Sequence, residues 1–345
     1  MKYKVAIVIV NWNGLKFLNA CFSALMKQTY TDFNIIFVDN GSIDASVQFV
    51  GDNFKQLKII TIPLTNNTGF ALGNNIGIRK ALEDKDVDCI VCLNNDTIVD
   101  EHWLEELVKT ATNSSSIGMV SSLALFPDNT IHNAGLSLEN GLEINEAGGI
   151  SIGYGKNCDY FQKEIEVFAP GGMSSLYKRQ CVEDVMAVNG EFFDEDFFAY
   201  VEDSDVGFMA QLLGWGCIFN PRAKLIHFQS QTFGRASARK VFYIKRNTVL
   251  LAVKYLSLRD LFCFIYYQIV LNFSYLNKNN SHNNKKSSKI GVRQLILSVI
   301  KGYVCSILLL PKMLKKRGNI MKYKKVYSFK EWLKLYNRLN VEKKC

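Results

Sequence analysis

The sequence predicts an α/β protein, a mostly parallel sheet with helices on both faces, followed by a basic helical C-terminal extension. Three observations carry this. Apolar runs rich in β-branched residues alternate with helical apolar stripes from Val5 to Val108. The first four runs end in Asn, Asp or Gly, so polar groups gather along one sheet edge, where open α/β sheets bind their ligands. Charge divides sharply: residues 1–230 carry 16 Lys+Arg against 29 Asp+Glu, and residues 231–345 carry 25 against three. The first part is therefore acidic, and the tail is basic enough to suit an anionic surface.

Each element has its own warrant. Val5–Val10 reads as a buried strand ending at Asn11-Trp12-Asn13-Gly14, with Leu15, Leu18, Phe22 and Leu25 marking the inward face of the next helix. Phe33–Val38 is the second strand, ending at Asp39-Asn40-Gly41-Ser42. Ser42 and Asp44 are expected to start a helix with Val47, Val50 and Phe54 inward. Leu57–Ile62 is the third strand and leads through a Gly- and Asn-rich stretch, Asn66–Asn75, into a helix reaching Leu82. Val87–Leu93 is the fourth. There the polarity flips to Asn94-Asn95-Asp96-Thr97, and Asp100 is placed to cap a helix with Trp103, Leu104, Leu107 and Val108 inward.

Beyond Phe126 the pattern loosens. Ser137–Leu142 carries an Asn-Gly hairpin signal, and Gly171-Gly172 permits close backbone approach to a ligand. A helix near Arg179–Met186 precedes Glu191–Asp205, where acids alternate with aromatics. Carboxylates crowded in this way call for a cation or a tuned pKa.

With 345 residues, 48% of them hydrophobic and only five prolines, the chain can bury a substantial core, and one large domain plus an appendage is expected. Of the nine cysteines only Cys89 and Cys92 have paired spacing, they fall on opposite strand faces, and no second pair or His cluster completes a site, so the cysteines read as reduced core residues. The amino-terminal apolar run is short and lacks a leader-cleavage pattern, which favours a strand.

Taken in order, Ile9–Gly14, Val38–Ser42, Asn67–Ala71, Leu93–Thr97, Gly171-Gly172 and Phe193–Asp205 resemble the ordered motifs of family 2 inverting glycosyltransferases, above all the bacterial rhamnosyltransferase-like branch. The likeness covers about residues 4–250, including Tyr243–Asn247 as a post-catalytic helix. It implies a GT-A type fold for a catalytic domain of residues 1–235, with a donor half to about 125 and an acceptor half beyond it. Residues 236–345 form the basic amphipathic helical region. It also implies roles. Asp39 would meet the nucleotide base or ribose beside Asn11, Trp12 and Asn13, with Asn67, Gly69, Asn94 and Asn95 in the donor cleft. Asp96 would hold a divalent metal, Mg²⁺ or Mn²⁺, with His227 as a late ligand. Asp203 would be the catalytic base, with Glu202, Gly171 and Gly172 on the acceptor side. Two positions depart from the family pattern. Asn94 stands where an acid is usual, and Met209 stands where many relatives carry Arg.

Plainer roles compete at each position. Asp39 and Asp96 suit turn capping after a strand, though the array of polar strand ends favours a site. Asp194 and Asp196 read as turn and cap residues. His227 ends an alternating run and fits either an edge position or a ligand. Asp203 could simply stabilise the start of the helix carrying Val206, Met209, Leu212 and Leu213, but a helix start beside an acidic aromatic loop suits a pocket.

The expected chemistry is transfer of a sugar from a nucleotide-diphosphate donor to a hydroxyl of a lipid-linked or cell-surface glycan. A metal neutralises the leaving group, and one carboxylate takes the hydroxyl's proton. Nucleotide-binding dehydrogenases and epimerases are disfavoured, since no GxGxxG follows the first strand. A non-catalytic binding protein of the same fold is the alternative. In the tail, Leu261–Asn277 is uncharged but barely long enough to span a membrane and contains Gln268, Asn272 and Ser274, and Asn277–Lys289 reads as a polar linker. Residues from Val292 to Leu308 form an apolar helical stripe. The expected location is cytoplasmic, peripheral on the inner face of the cell membrane, with an anionic bilayer rather than nucleic acid as partner.

Overall fold

The order of the strands is what creates the site, and the central ones are buried because helices cover both faces. The computed structural model describes residues 2–137, 150–228, 237–256, 261, 262, 264 and 292–323. β1 (Lys4–Asn11) is fully buried from Val5 to Ile9. α1 (Leu15–Leu25) turns Leu18, Cys21, Phe22 and Leu25 onto it, and Phe22 meets Phe37 of β2 (Phe33–Asp39) edge-on at 5.6 Å. α2 (Ser46–Asn53) starts later than its sequence suggested, and Val47 is exposed rather than inward. Asp44 serves both neighbouring helix starts instead: its Oδ2 accepts from Leu15 N at 3.1 Å, and its Oδ1 accepts from Ser46 N at 3.1 Å.

β3 (Ile59–Pro63) completes the first edge. α3 (Gly69–Glu83) begins inside the Gly- and Asn-rich run, because Gly73 and Gly77 form its face toward the sheet. A Cβ on Gly77 would lie 2.3 Å from the Val8 side chain, so the helix depends on small residues for close approach. β4 (Val87–Asn94) and β5 (Thr97–Val99) precede α4 (Trp103–Thr112). Asp100 sits one turn ahead of α4, accepting from His102 N at 3.1 Å rather than capping the helix itself. Trp103 is wholly buried, with its Nε1 donating to Ser122 Oγ (3.0 Å) and Ser174 Oγ (3.2 Å). Truncating such a residue costs roughly 3–5 kcal/mol.

The second half contains further strands whose apolar pattern is weak in the sequence. β6 (Ile117–Leu125) is buried at every position, and β7 (Ile131–Asn133), β8 (Leu136–Ser137), β9 (Ile150–Ser151), β10 (Ile165–Val167) and β11 (Ser174–Lys178) follow. α5 (Arg179–Asn189), α6 (Glu202–Leu212) and β12 (Gly216–His227) complete this part. The main sheet runs β10-β12-β6-β11-β4-β1-β2-β3, with β5 on β12 and β7 on β6. β4, β1, β2 and β3 are mutually parallel, whereas β11 runs antiparallel to both its neighbours and joins the two halves. Chain order reverses beside β1, between β4 and β2, which opens a crevice beyond the strand ends. Register sets Asn11 opposite Asp39 and Val10 opposite Asn94, so the polar strand ends are level.

The chain divides into two units, Met1–Ser137 with Ser151–Thr232, and Leu138–Ile150 with Phe233–Cys345. In the second, Ser237 caps α7 (Ala238–Tyr255), accepting from Lys240 N at 3.2 Å. The anticipated apolar stripe forms α8 (Val292–Met321), which continues past Pro311. The hairpin signal at residues 138–142, nearly all of 261–277 and the linker at 277–289 lie outside the described residues. Among the described residues the cysteines are free thiols, and Cys21, Cys89, Cys92, Cys181 and Cys217 are buried.

Candidate active site

Asn11 is the hub of the first half of the site. Buried at the end of β1, it donates through Nδ2 to Asp39 Oδ1 and Ser42 Oγ, both at 3.1 Å, and its Oδ1 accepts from Asn95 Nδ2 at 2.6 Å. Ser42 Oγ in turn donates to Asp39 Oδ1 at 2.6 Å and accepts from Asn13 N at 2.9 Å, and Asp39 Oδ2 accepts from Ser42 N at 3.1 Å. Both oxygens of the buried Asp39 therefore organise the loop. Satisfaction of a buried polar chain rigidifies it. Gly14 is required at its centre, since a Cβ there would lie 2.1 Å from Asn95 Nδ2 and 2.4 Å from Asn11 Oδ1.

A second cluster continues along the same edge. Asn40 Nδ2 donates to Gly69 O at 3.0 Å, and Asn40 Oδ1 accepts from Thr68 N at 2.8 Å. Asn67 Oδ1 accepts from Gly69 N at 2.9 Å, tying down the start of α3. Asn40 was not among the site residues expected from sequence, and its only signal was its place between Asp39 and Gly41. A pocket of about 150 Å³ opens beside the first cluster, lined by Trp12, Asn13, Gly14, Lys16, Phe17, Asn95 and Asp96. It lies between the exits of β1 and β4, at the switch point.

Antiparallel pairing of β5 with β12 sets His227 opposite Thr97 and so beside Asp96. His227 Nε2 is 3.1 Å from Asp96 Oδ1, with both side chains mostly buried, and Asn94 Nδ2 lies 3.5 Å from the same nitrogen. The structure thus brings together the two residues expected to hold a metal. It adds His132, whose Nδ1 is 2.9 Å from His227 Nδ1 and whose ring stacks on His227 at 4.9 Å. His132 comes from the short β7, in a stretch with no periodicity to expose it. Among the described residues no three His, Cys, Asp or Glu side chains form a complete cage. One carboxylate and one imidazole nevertheless fit Mg²⁺ or Mn²⁺ as the partial set such ions take when a diphosphate supplies the remaining oxygens.

The other half of the site is built on strained backbone. Phe198, Tyr200 and Val201 have φ of 63°, 71° and 75°. For a β-branched residue this is a genuine outlier, and such strain persists only where the surroundings over-determine it. The surroundings are visible. Phe192, Phe193 and Phe197 are buried, and Asn75 pairs with the Phe193 backbone like a strand residue, at 2.7 and 2.9 Å. Phe198 O accepts from Phe70 N (2.6 Å) and Ala71 N (3.1 Å), closing the first turn of α3. Gly69, at φ +86°, allows this, for a Cβ there would lie 2.5 Å from Phe198 O. Phe192, Phe193 and Phe197 are therefore core, and they fix the loop that carries the carboxylates. Asp194 acts as the cap of the turn Glu195–Phe197, accepting from Asp196 N at 3.0 Å.

Asp203 lies within the first turn of α6, one residue beyond the helix start, so it is not the N-cap. Its Oδ2 accepts from Gly172 N at 3.2 Å and its Oδ1 from Ser204 N at 2.7 Å. Gly172 precedes Met173, whose carbonyl accepts from Asn94 N at 2.9 Å, which links Asp203 to the Asp96 turn. Burial raises the Asp203 carboxyl to about 6, while the two N–H donors hold it from rising further. Burial, with Asp203 and Asp205 nearby, pushes Glu202 well above the usual carboxylate range, and its buried Oε2 has no hydrogen-bond partner among the described residues. Burial thus acts unequally on the two adjacent carboxyls, raising Glu202 well above its ordinary range and Asp203 to about 6. Met209, at the position where Arg is usual, is buried core.

Comparison with known proteins identifies the family and the fold. The model of Glycosyl transferase family 2 matches residues 6–185, just over half of the chain. An uncharacterized protein, y4gI, of Sinorhizobium fredii is 24% identical over 70% of this chain, which spans only 27% of that protein. The N-acetylglucosaminyl-diphospho-decaprenol L-rhamnosyltransferase of Mycobacterium tuberculosis is 22% identical over 71% of this chain and 82% of its own length. Among solved structures, a mannosyltransferase from Pyrobaculum calidifontis, in complex with GDP-Man and Mn²⁺, superposes with a TM-score of 0.51 at 14% identity, covering 99% of this chain and 86% of the other. The chain belongs to glycosyl transferase family 2. It is a glycosyltransferase built on the GT-A fold.

Proposed function

We propose that the protein moves a sugar, with inversion, from a nucleotide-diphosphate donor to a hydroxyl of a lipid-linked or cell-surface glycan. The observation that carries this is Asp203, a partly buried carboxylate raised to about 6 and joined through Gly172 and Met173 to the Asp96 turn. The pocket beneath Trp12, Asn13 and Asn95 receives the nucleotide, with Asp39 and Asn11 fixing its wall. Asp96 and His227 would hold a divalent metal, which supplies charge neutralisation to the departing diphosphate.

Asp203 takes the acceptor hydroxyl's proton as that oxygen attacks the anomeric carbon from the face opposite the diphosphate. The bond to the diphosphate breaks with its electron pair, and the anomeric centre inverts. Burial disfavours a negative charge on Glu202 beside the base. The relative from Mycobacterium tuberculosis, a rhamnosyltransferase by name, supports a lipid-linked acceptor. The basic tail supports a place on the inner face of the cell membrane. The test is thermal stabilisation by a panel of nucleotide sugars with and without Mn²⁺. A donor present at a hundredfold its Kd adds about 2.7 kcal/mol. Metal-dependent stabilisation by one donor is expected, and no response to any donor contradicts the reading.

A further inference from the structure

α8 carries its residues the wrong way round for a water-facing helix. The face it turns to α7 is small: Ser298 and Ser306 are buried on either side of Gly302 at four-residue spacing. A Cβ on Gly302 would lie 3.0 Å from Phe242 O and 3.2 Å from Lys245 Cβ. Further along, Met313 and Ile320 are buried, and Arg317 Nη1 donates to Val253 O at 2.8 Å and to Leu256 O. The opposite face is apolar and open. Ile296, Ile300, Val304, Ile307, Leu308 and Leu314 are 37–75% exposed. A soluble helix places such residues inward, and an open stripe of this length marks an interaction surface.

Arg293–Met321 is long and apolar enough to cross a bilayer. Its partner forbids that. Gly302 lies against residues 242–246 and Arg317 against 253–256, so α7 and α8 run side by side in the same direction. α7 carries Arg239, Lys240, Lys245, Arg246 and Lys254, and the hydrocarbon core does not accept that many cations beside a crossing helix. An in-plane position satisfies both helices: the open face of α8 enters the acyl boundary and α7 stays on the aqueous side. Lys301 and Lys312, both exposed, border the stripe at headgroup level, and Lys315 follows beyond its last immersed turn. The excess of 25 Lys+Arg over three Asp+Glu in residues 231–345 selects an anionic bilayer as the occupant.

We propose that α8 is a monotopic anchor, lying in the plane of an anionic phospholipid surface with Ile296, Ile300, Val304, Ile307 and Leu308 immersed. This rests on the membrane-surface part of the proposed function and specifies the helix, the face and the orientation. The test uses the full chain with phosphatidylcholine vesicles, with or without phosphatidylglycerol. The triple variant Ile300→Gln, Ile307→Gln, Leu308→Gln alters only exposed positions with a good helix former and should fold as the parent does. Its partitioning to anionic vesicles should fall on the order of a hundredfold, with donor hydrolysis unchanged. Ile296→Trp, Val304→Trp and Leu314→Trp, made singly, should each be quenched most by lipids brominated at one shallow depth. A depth that grades along the helix would show crossing and overturn the proposal. Vesicle binding by the triple variant equal to the parent's would overturn it while leaving the membrane-surface reading intact, and failure of the parent to bind anionic vesicles would remove both. Dimerisation of the parent without lipid, abolished in the triple variant, would assign the face to a second copy and overturn the lipid assignment.

Discussion

Asp203→Asn separates what the carboxylate does for chemistry from what it does for the fold. The side chain keeps its shape and one acceptor oxygen for Gly172 N or Ser204 N but loses the ability to take a proton. Burial has raised this carboxyl from 3.8 to about 6, so the ionised form carries a penalty of about 3 kcal/mol at neutral pH. The sign follows from linkage. A raised acid stabilises the fold fully below its unfolded value of 3.8, and that contribution is lost as pH rises through about 6. Removing the charge therefore relieves the fold near pH 7.5, while the amide leaves one backbone N–H without its acceptor, at a cost of roughly 1–3 kcal/mol. The two nearly cancel, so the melting temperatures of variant and parent should agree within a few degrees near pH 7.5. Toward about pH 4 the parent should become the more stable of the two. Sugar transfer at saturating donor and acceptor should fall on the order of a hundredfold to ten-thousandfold in the variant. The parent's rate should drop about tenfold per unit below pH 6, and the variant's residual rate should lack that inflection. A variant that transfers near the parental rate, or a parental rate that stays flat between about pH 5 and pH 7, would refute the reasoning.

Other perturbations follow from the same geometry. Gly14→Ala places a Cβ 2.1 Å from Asn95 Nδ2, so it should weaken nucleotide-sugar binding at least tenfold, read by the shift in melting temperature with donor. Asp96→Ala should abolish the metal-dependent part of donor binding, and His227→Ala should weaken it about tenfold to a hundredfold or shift the preferred metal, both measured by titration with Mn²⁺ and Mg²⁺. Gly69→Ala combines φ +86° with a 2.5 Å approach to Phe198 O and should cost roughly 1–3 kcal/mol or more in chemical denaturation, with transfer falling in step.

Much of this was legible in the chain. The parallel half of the sheet follows from apolar runs at regular spacing, and its polar strand ends announced Asn11, Asp39 and Asp96 before any contact was known. What escaped has physical reasons. α3 was read as starting late because Gly73 and Gly77 pack by absence of side chain, which erases the apolar period on which sequence reading depends. β6 is uniformly buried, yet Ser121 and Ser122 interrupt its apolar run and hide it in the sequence. His132 is a neighbour of His227 because β6 pairs with both the short β7 and the distant β12, a juxtaposition across 95 residues with no local signature. Val47 was assigned inward by period alone, yet the short α2 offers the sheet too narrow a face to cover it.

Inverting displacement by a single base is the centre of the account, and donor hydrolysis tests it without knowledge of the acceptor. The purified full chain, supplied with Mn²⁺ and the nucleotide sugar that stabilises it most, is followed by proton NMR from the first minutes, before the released sugar equilibrates. Water takes the place of the acceptor hydroxyl, and the account predicts that the sugar first appears as the anomer opposite to the donor's, at a rate that collapses in Asp203→Asn. Release with the donor's own configuration, or release at equal rates from parent and variant, would contradict it.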